Sequence, residues 1–180
     1  MAKISPALAA QFDKKRYGEI VQQVDNYSDT VDEVVESLVR KYAGPLDDLI
    51  DCIKEATQAG NEVSNEELDS YILALPLQLY YTSAAQESLG LKEDSARAIR
   101  QVVYNEARDK ATGTIADKDA QAEQAVEQET LATIAYARAY KKLKLRCEAA
   151  FELQTALKKV LSRRMDELQL VARSPESSIV

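Results

Sequence analysis

No histidine occurs anywhere in the 180 residues, and with it go the commonest general base and the commonest metal ligand. Catalytic triads and histidine-held zinc are excluded. Tryptophan is absent, phenylalanine occurs twice, and 5 glycines and 4 prolines are few for this length. Sandwiches and barrels need such residues at many tight turns, so an all-α fold is what remains. Cys52 and Cys147 are far apart and outside any CxxC pairing. They indicate neither a disulfide framework nor a thiolate metal site, and they suit a reducing cytoplasm. The first residues lack the apolar stretch of a signal peptide, and the longest apolar run, residues 71–81, is broken by Pro76 and Gln78. Such a run is too short to cross about 30 Å of hydrocarbon as a helix. Glycine-rich phosphate loops, GxSxG and calcium loops are missing, and Asp117 and Asp119 are too sparse to hold a metal. The expectation is a protein that is not an enzyme, with no cofactor, no metal and no membrane span.

What is present is 46% apolar and 29% charged residues, the balance of an ordinary globular chain. Val24, Tyr27, Val31, Val34, Val35, Leu38, Val39 and Tyr42 recur at three- and four-residue steps and predict an amphipathic helix ending before Gly44. Gly44-Pro45 predicts a stop and a new start, with a second helix over residues 45–59 presenting Leu46, Leu49, Ile50, Ile53 and Ala56. Residues 1–60 then read as an acidic helical pair that buries its own apolar faces. Ser64-Asn65-Glu66-Glu67 has the form of a capping box, so a third helix starts there, with Pro76 inside it as an expected kink and Gly90 as an expected break. A fourth helix follows to about residue 111, then a turn over residues 112–116.

Residues 117–172 contain neither proline nor glycine and are dominated by good helix formers. They predict one helix near 80 Å long at 1.5 Å per residue, closing a second unit over residues 61–172, with residues 173–180 as a mobile tail. Tyr136, Tyr140, Leu143, Cys147, Ala150, Leu157, Leu161 and Leu168 alternate at four and three spacings, an imperfect heptad seam interrupted by Gln154 and Arg164. The preceding helices read as too short to cover such a rod. Tyr140, Leu143, Ala150, Leu157, Leu161 and Leu168 are therefore the expected contacts of a homo-oligomer built through coiled-coil-like packing.

Charge is divided unevenly. Residues 1–90 carry 7 basic and 16 acidic side chains, residues 91–180 carry 16 and 14, and residues 138–164 alone carry 9 basic against 2 acidic. At about 100° per residue Arg138, Lys141, Lys142, Lys159 and Arg163 fall on the side of the long helix away from Leu143. A solvated face explains Lys and Arg on a helix without any ligand. The scarcity of acids in this stretch instead favours a belt that tracks a phosphate backbone. Tyr80, Tyr81, Tyr104, Tyr136 and Tyr140 could add stacking surfaces for single-stranded nucleic acid, although a tyrosine at heptad spacing, such as Tyr136 or Tyr140, is more often a core residue with a satisfied hydroxyl.

Residues 80–84 (Tyr-Tyr-Thr-Ser-Ala), Arg97-Ala98-Ile99-Arg100, the link at residues 112–119 (Thr-Gly-Thr-Ile-Ala-Asp-Lys-Asp) and residues 156–168 (Ala-Leu-Lys-Lys-Val-Leu-Ser-Arg-Arg-Met-Asp-Glu-Leu) together resemble the bacteriophage UvsY-like recombination mediators and related phage coiled-coil proteins. The resemblance runs from about residue 75 to 168. It implies a helical oligomer in the cytoplasm of a bacterial host that binds single-stranded DNA, displaces single-strand-binding protein and helps load a recombinase. It also makes Lys158, Lys159, Arg163 and Arg164 candidate DNA contacts. The acidic segment of about 65 residues ahead of the resembling part departs from that pattern. Two other readings stay open: a structural or interaction coiled coil whose basic face meets an acidic protein, and an inhibitor whose acidic helices mimic nucleic acid.

Overall fold

The computed structural model describes residues 13–58 and 63–173, the side chains of residues 172 and 173 excepted. Four helices account for nearly all of them: α1 (Lys14–Gln58), α2 (Asn65–Lys110), α3 (Ile115–Ala125) and α4 (Glu127–Arg173), with no strand among the described residues. The expected tail lies outside the described residues from residue 174 onward. Asp13 starts α1 by accepting from the amides of Lys15 and Arg16 at 2.9 and 3.1 Å. The Ser64–Glu67 capping box that starts α2 forms as its spacing requires: the Glu67 amide donates to Ser64 Oγ (3.1 Å) and the Ser64 amide to Glu67 Oε2 (2.8 Å).

Two of the expected breaks are corrected by the structure. Gly44-Pro45 does not separate two helices, because α1 runs through it. Proline in a helix interior costs about 3 kcal/mol. Val39, Ala43 and Leu46 flank this site at helical spacing and are fully buried, and each large apolar side chain so placed contributes roughly 1.5–3 kcal/mol. Continuity of the seam outweighs the proline, and the carbonyl that Pro45 leaves unbonded belongs to Lys41, an exposed residue. The N-terminal helical pair is thus a single helix. Gly90 likewise lies within α2, at a close approach to the Tyr140 ring, where a Cβ would sit 3.5 Å from Cε2.

The long C-terminal helix is in turn interrupted once. Val126 adopts φ −107° and ψ 20° between α3 and α4, its amide reaching only the Glu123 carbonyl at 3.4 Å. Arg108 bonded to Asp119 (2.6 Å) and Arg100 bonded to Glu123 (2.7 Å) and Thr130 Oγ1 (2.8 Å) hold α3 and the start of α4 against α2. The preceding turn contains Gly113 at φ +112°, where a Cβ would lie 2.9 Å from Asp117 Oδ2. Thr114 and Asp117 form a second capping box there.

The long helices α1, α2 and α4 make an elongated three-helix bundle. α2 runs antiparallel to α4, as Asn65–Arg164, Ile72–Gln154 and Arg100–Thr130 show along its length. α1 lies antiparallel to α2 and parallel to α4. One core joins Val31, Val35, Val39 and Ala43 of α1 to Leu89 of α2 and Ala135, Ala139 and Leu143 of α4. The other joins Leu46 and Ile53 to Leu68, Leu75, Ala150 and Leu157. Residues 13–58, the described part of the expected N-terminal pair, therefore do not bury a face against themselves but share both cores with α2 and α4.

The same packing corrects the expected oligomer contacts. Leu143, Ala150 and Leu157 are buried within one chain, Tyr140 and Leu161 pack against the two cores, and of the six only Leu168 is exposed. The rod finds its cover in cis because the helices before it are two long ones rather than four short ones.

Candidate nucleic-acid interface

The outer face of α4 carries the cations singled out in the sequence, and the fold divides them into two sets. Arg138, Lys141, Lys158 and Lys159 are exposed and make no ion pair among the described residues. Lys141 and Lys159 are five helical turns apart, so they point the same way about 27 Å from one another. Lys158 lies roughly a quarter-turn round the helix from Lys159. Exposed Glu148 and Glu152 punctuate the track, with Lys144 lying 3.9 Å from Glu148.

The other three are engaged. Lys142 pairs with Glu36 of α1. Arg163 bonds Glu167 on its own helix at 3.0 Å while remaining highly exposed. Arg164 turns inward, donating to the Val63 carbonyl and, at 3.3 Å, to Asn65 Oδ1, which ties α4 to the start of α2. For Lys142 and Arg164 the structure corrects the expectation of a free DNA-facing side chain: acceptors on α1 and at the head of α2 reach them first.

Sequence reasoning missed Arg146 as a site residue. It bonds Asp47 and lies 3.3 Å from Glu36, completing a charge cluster between α1 and α4. The hydrogen bond from Lys142, with the nearby Arg146 charge, holds the Glu36 carboxyl below its ordinary range, against a smaller opposing effect of burial. Burial pushes Asp47 up, and Arg146 offsets part of that rise. Part of the acidic surplus of the N-terminal half thus faces part of the basic surplus of α4 inside one molecule. No local pattern announces such a pair, since its members are about a hundred positions apart.

The tyrosines separate in the same way. Tyr136 and Tyr140 pack against the first core, and Tyr104 donates to Asp119 at 3.4 Å. Tyr42 takes a hydrogen bond from Lys92, which lowers the phenol and raises the ammonium. Only Tyr80 and Tyr81 are broadly exposed among those considered as stacking surfaces, 5.6 Å apart and edge to face. Beside them a groove of about 440 Å³ runs between Leu79 and Ser83 of α2 and Cys147, Glu148, Phe151 and Glu152 of α4. Its two carboxylates do not suit a phosphate. The Cys147 thiol is pushed up by burial, which removes thiolate character, and Cys52 is exposed.

Among the described residues no cluster of three potential metal ligands occurs, and no helix is long and apolar enough to cross a membrane. No protein-family model, curated protein or solved structure matches this chain.

Proposed function

We propose that this chain is a non-enzymatic single-stranded-DNA-binding protein of the recombination-mediator kind, which engages DNA along the outer face of α4. The observation that carries the reading is the row formed by Arg138, Lys141 and Lys159, with Lys158 a quarter-turn away, all exposed and without ion-pair partners among the described residues on one continuous helix. Phosphate contacts of this type release counterions and read no base sequence. The resemblance to the phage mediators supplies the rest of the proposal: a recombinase and a single-strand-binding protein as partners, in a bacterial cytoplasm.

The test is fluorescence anisotropy of a labelled oligothymidylate over a range of salt. Log affinity should fall linearly with log salt, at about 0.7 of slope per phosphate contact. Lys141→Ala with Lys159→Ala should lower the slope by roughly one to two units while leaving the helix intact, since alanine is the better helix former. Wild-type affinity and slope in the double variant would refute the placement of the DNA. A second reading, a structural or interaction bundle, is favoured by Lys142 and Arg146, which are spent on protein carboxylates. Absence of binding at about 50 mM salt, where electrostatic attraction is strongest, would select it.

A further inference from the structure

Residues 138–146 of α4 hold five cations and no carboxylate, so every acid that meets them comes from outside this stretch. Arg138, Lys142 and Arg146 recur every four residues and form one oblique line along the helix, each about one turn from the next. Of the three only Arg138 is without an ion pair among the described residues. Glu36 of α1 accepts from Lys142 and lies 3.3 Å from Arg146, and Asp47 accepts from Arg146. Lys142 therefore borders the exposed row, next to Lys141 and one turn from Arg138, with its charge already matched.

The two carboxylates are not held alike. The Asp47 and Arg146 side chains are 31% and 27% exposed, whereas Glu36 and Lys142 are 49% and 39% exposed, so a dissolved anion reaches the second pair more readily than the first. An ion pair so open to water is weakly held. Glu36 also has a second partner within one turn. Arg40 lies four residues on along α1, exposed and without an ion pair among the described residues, and an acid followed by a base at that spacing is the favourable order on a helix. Leaving Lys142 does not strand the carboxylate. α1 itself is fixed by other means, since Val35 and Val39, close to Glu36 in sequence, are buried in the first core.

We infer that Glu36 is an autoinhibitory competitor for the DNA strand: it occupies on Lys142 the place of a backbone phosphate, and an incoming phosphate displaces it toward Arg40, adding Lys142 to the contacts of Arg138 and Lys141. The inference rests on the DNA-binding reading given above and deepens it by naming what restrains that site. Carboxylate and phosphodiester are both anionic acceptors for the Lys142 ammonium, so binding the second gives up a charge-assisted hydrogen bond to the first. Affinity is held below what the cations of α4 could give. Asp47 and Arg146, the better covered pair, keep α1 and α4 in register while the exchange takes place.

Anisotropy titrations of labelled oligothymidylate with the full chain, Glu36→Gln, Lys142→Ala and the double variant test this, with circular dichroism as the control for folding. One freed cation should add about 0.7 to the slope of log affinity against log salt, which at about 0.1 M salt is about a 5-fold gain in affinity. Glu36→Gln should show that gain. In the Lys142→Ala background the same substitution should gain less than about 2-fold, because the cation it would free is gone. Glu33→Gln removes the same charge from an exposed position on α1 that makes no ion pair among the described residues, and it should likewise change affinity by less than about 2-fold, since an unpaired surface charge is screened by salt. Equal gains from Glu33→Gln and Glu36→Gln would reduce the effect to net charge and overturn the inference, as would a gain that survives Lys142→Ala. Wild-type binding that loses slope with Lys141→Ala and Lys159→Ala, yet is indifferent to Glu36→Gln, overturns it while the DNA-binding reading stands. Absence of binding by every one of these proteins at about 50 mM salt overturns both.

Discussion

Gln154 interrupts an apolar seam on α4, and the reason for it stands on another helix. Pro76 has no N–H to give the Ile72 carbonyl four residues earlier, and the half-buried acceptor so released takes the Gln154 Nε2 donor at 3.2 Å. Arg164, the other polar residue in the seam, serves the Val63 carbonyl in the same manner. Both residues thus fasten helix to helix where a backbone acceptor would be orphaned. Gln154→Leu should destabilise the chain by about 1–3 kcal/mol by leaving that carbonyl unpaired. In a Pro76→Ala background the restored amide should satisfy Ile72, and most of the penalty should vanish. Urea unfolding of the four proteins measures this. Costs that add to within about 0.3–0.5 kcal/mol would mean that the two residues are not linked.

Among the elements, α1 is attached by its apolar face and aligned by its charges. Val35, Val39, Leu46 and Ile53 each contribute roughly 1.5–3 kcal/mol by burial. The half-exposed Glu36–Lys142 pair is of a class that gives about 0–1 kcal/mol. Its effect should appear in acid. The folded value of Glu36 lies below its ordinary 4.5, so its contribution is fully present above pH 4.5 and is lost as pH falls through the folded value. Asp47 is shifted the other way and works against it. Thermal unfolding against pH should therefore show a shallower acid decline for Glu36→Gln than for wild type, and identical slopes would exclude the carboxylate. Amphipathic faces and the Ser64–Glu67 cap were legible in the sequence because they depend on neighbours one turn away. Gly44-Pro45 and Gly90 misled because local propensity points to a break that a shared core overrides. Val126 gave no warning, since its interruption lies among helix formers and answers to Arg100 and Arg108 on α2. The second capping box did carry a signal, Thr114 three residues before Asp117. That Lys142 and Arg146 are engaged depended on Glu36 and Asp47, and Arg164 on Val63 and Asn65, about a hundred positions away, and local spacing is silent about such partners.

At the scale of the whole molecule, two long helices and a jointed third build one rod with two cores in series rather than an acidic lobe appended to a basic one. α1 and α4 run parallel within it. The start of α1 and the end of α2 consequently meet at one pole, while the end of α4 lies at the other. That polarity has a mechanical meaning. Tension applied between residues 14 and 171 would slide α1 lengthwise along α4, loading Val35, Val39, Leu46, Ile53 and the Glu36 and Asp47 pairs all at once. Tension applied between residues 14 and 110 would instead peel α1 from α2 one turn after another. Optical-tweezer measurements at matched pulling speed should find the first geometry rupturing at higher force, because forced opening follows the unfolding barrier along the direction pulled. Equal forces would mean that the helices do not resist as a single sheared seam. A load that hauls on this rod along its axis would be pulling against its strongest direction.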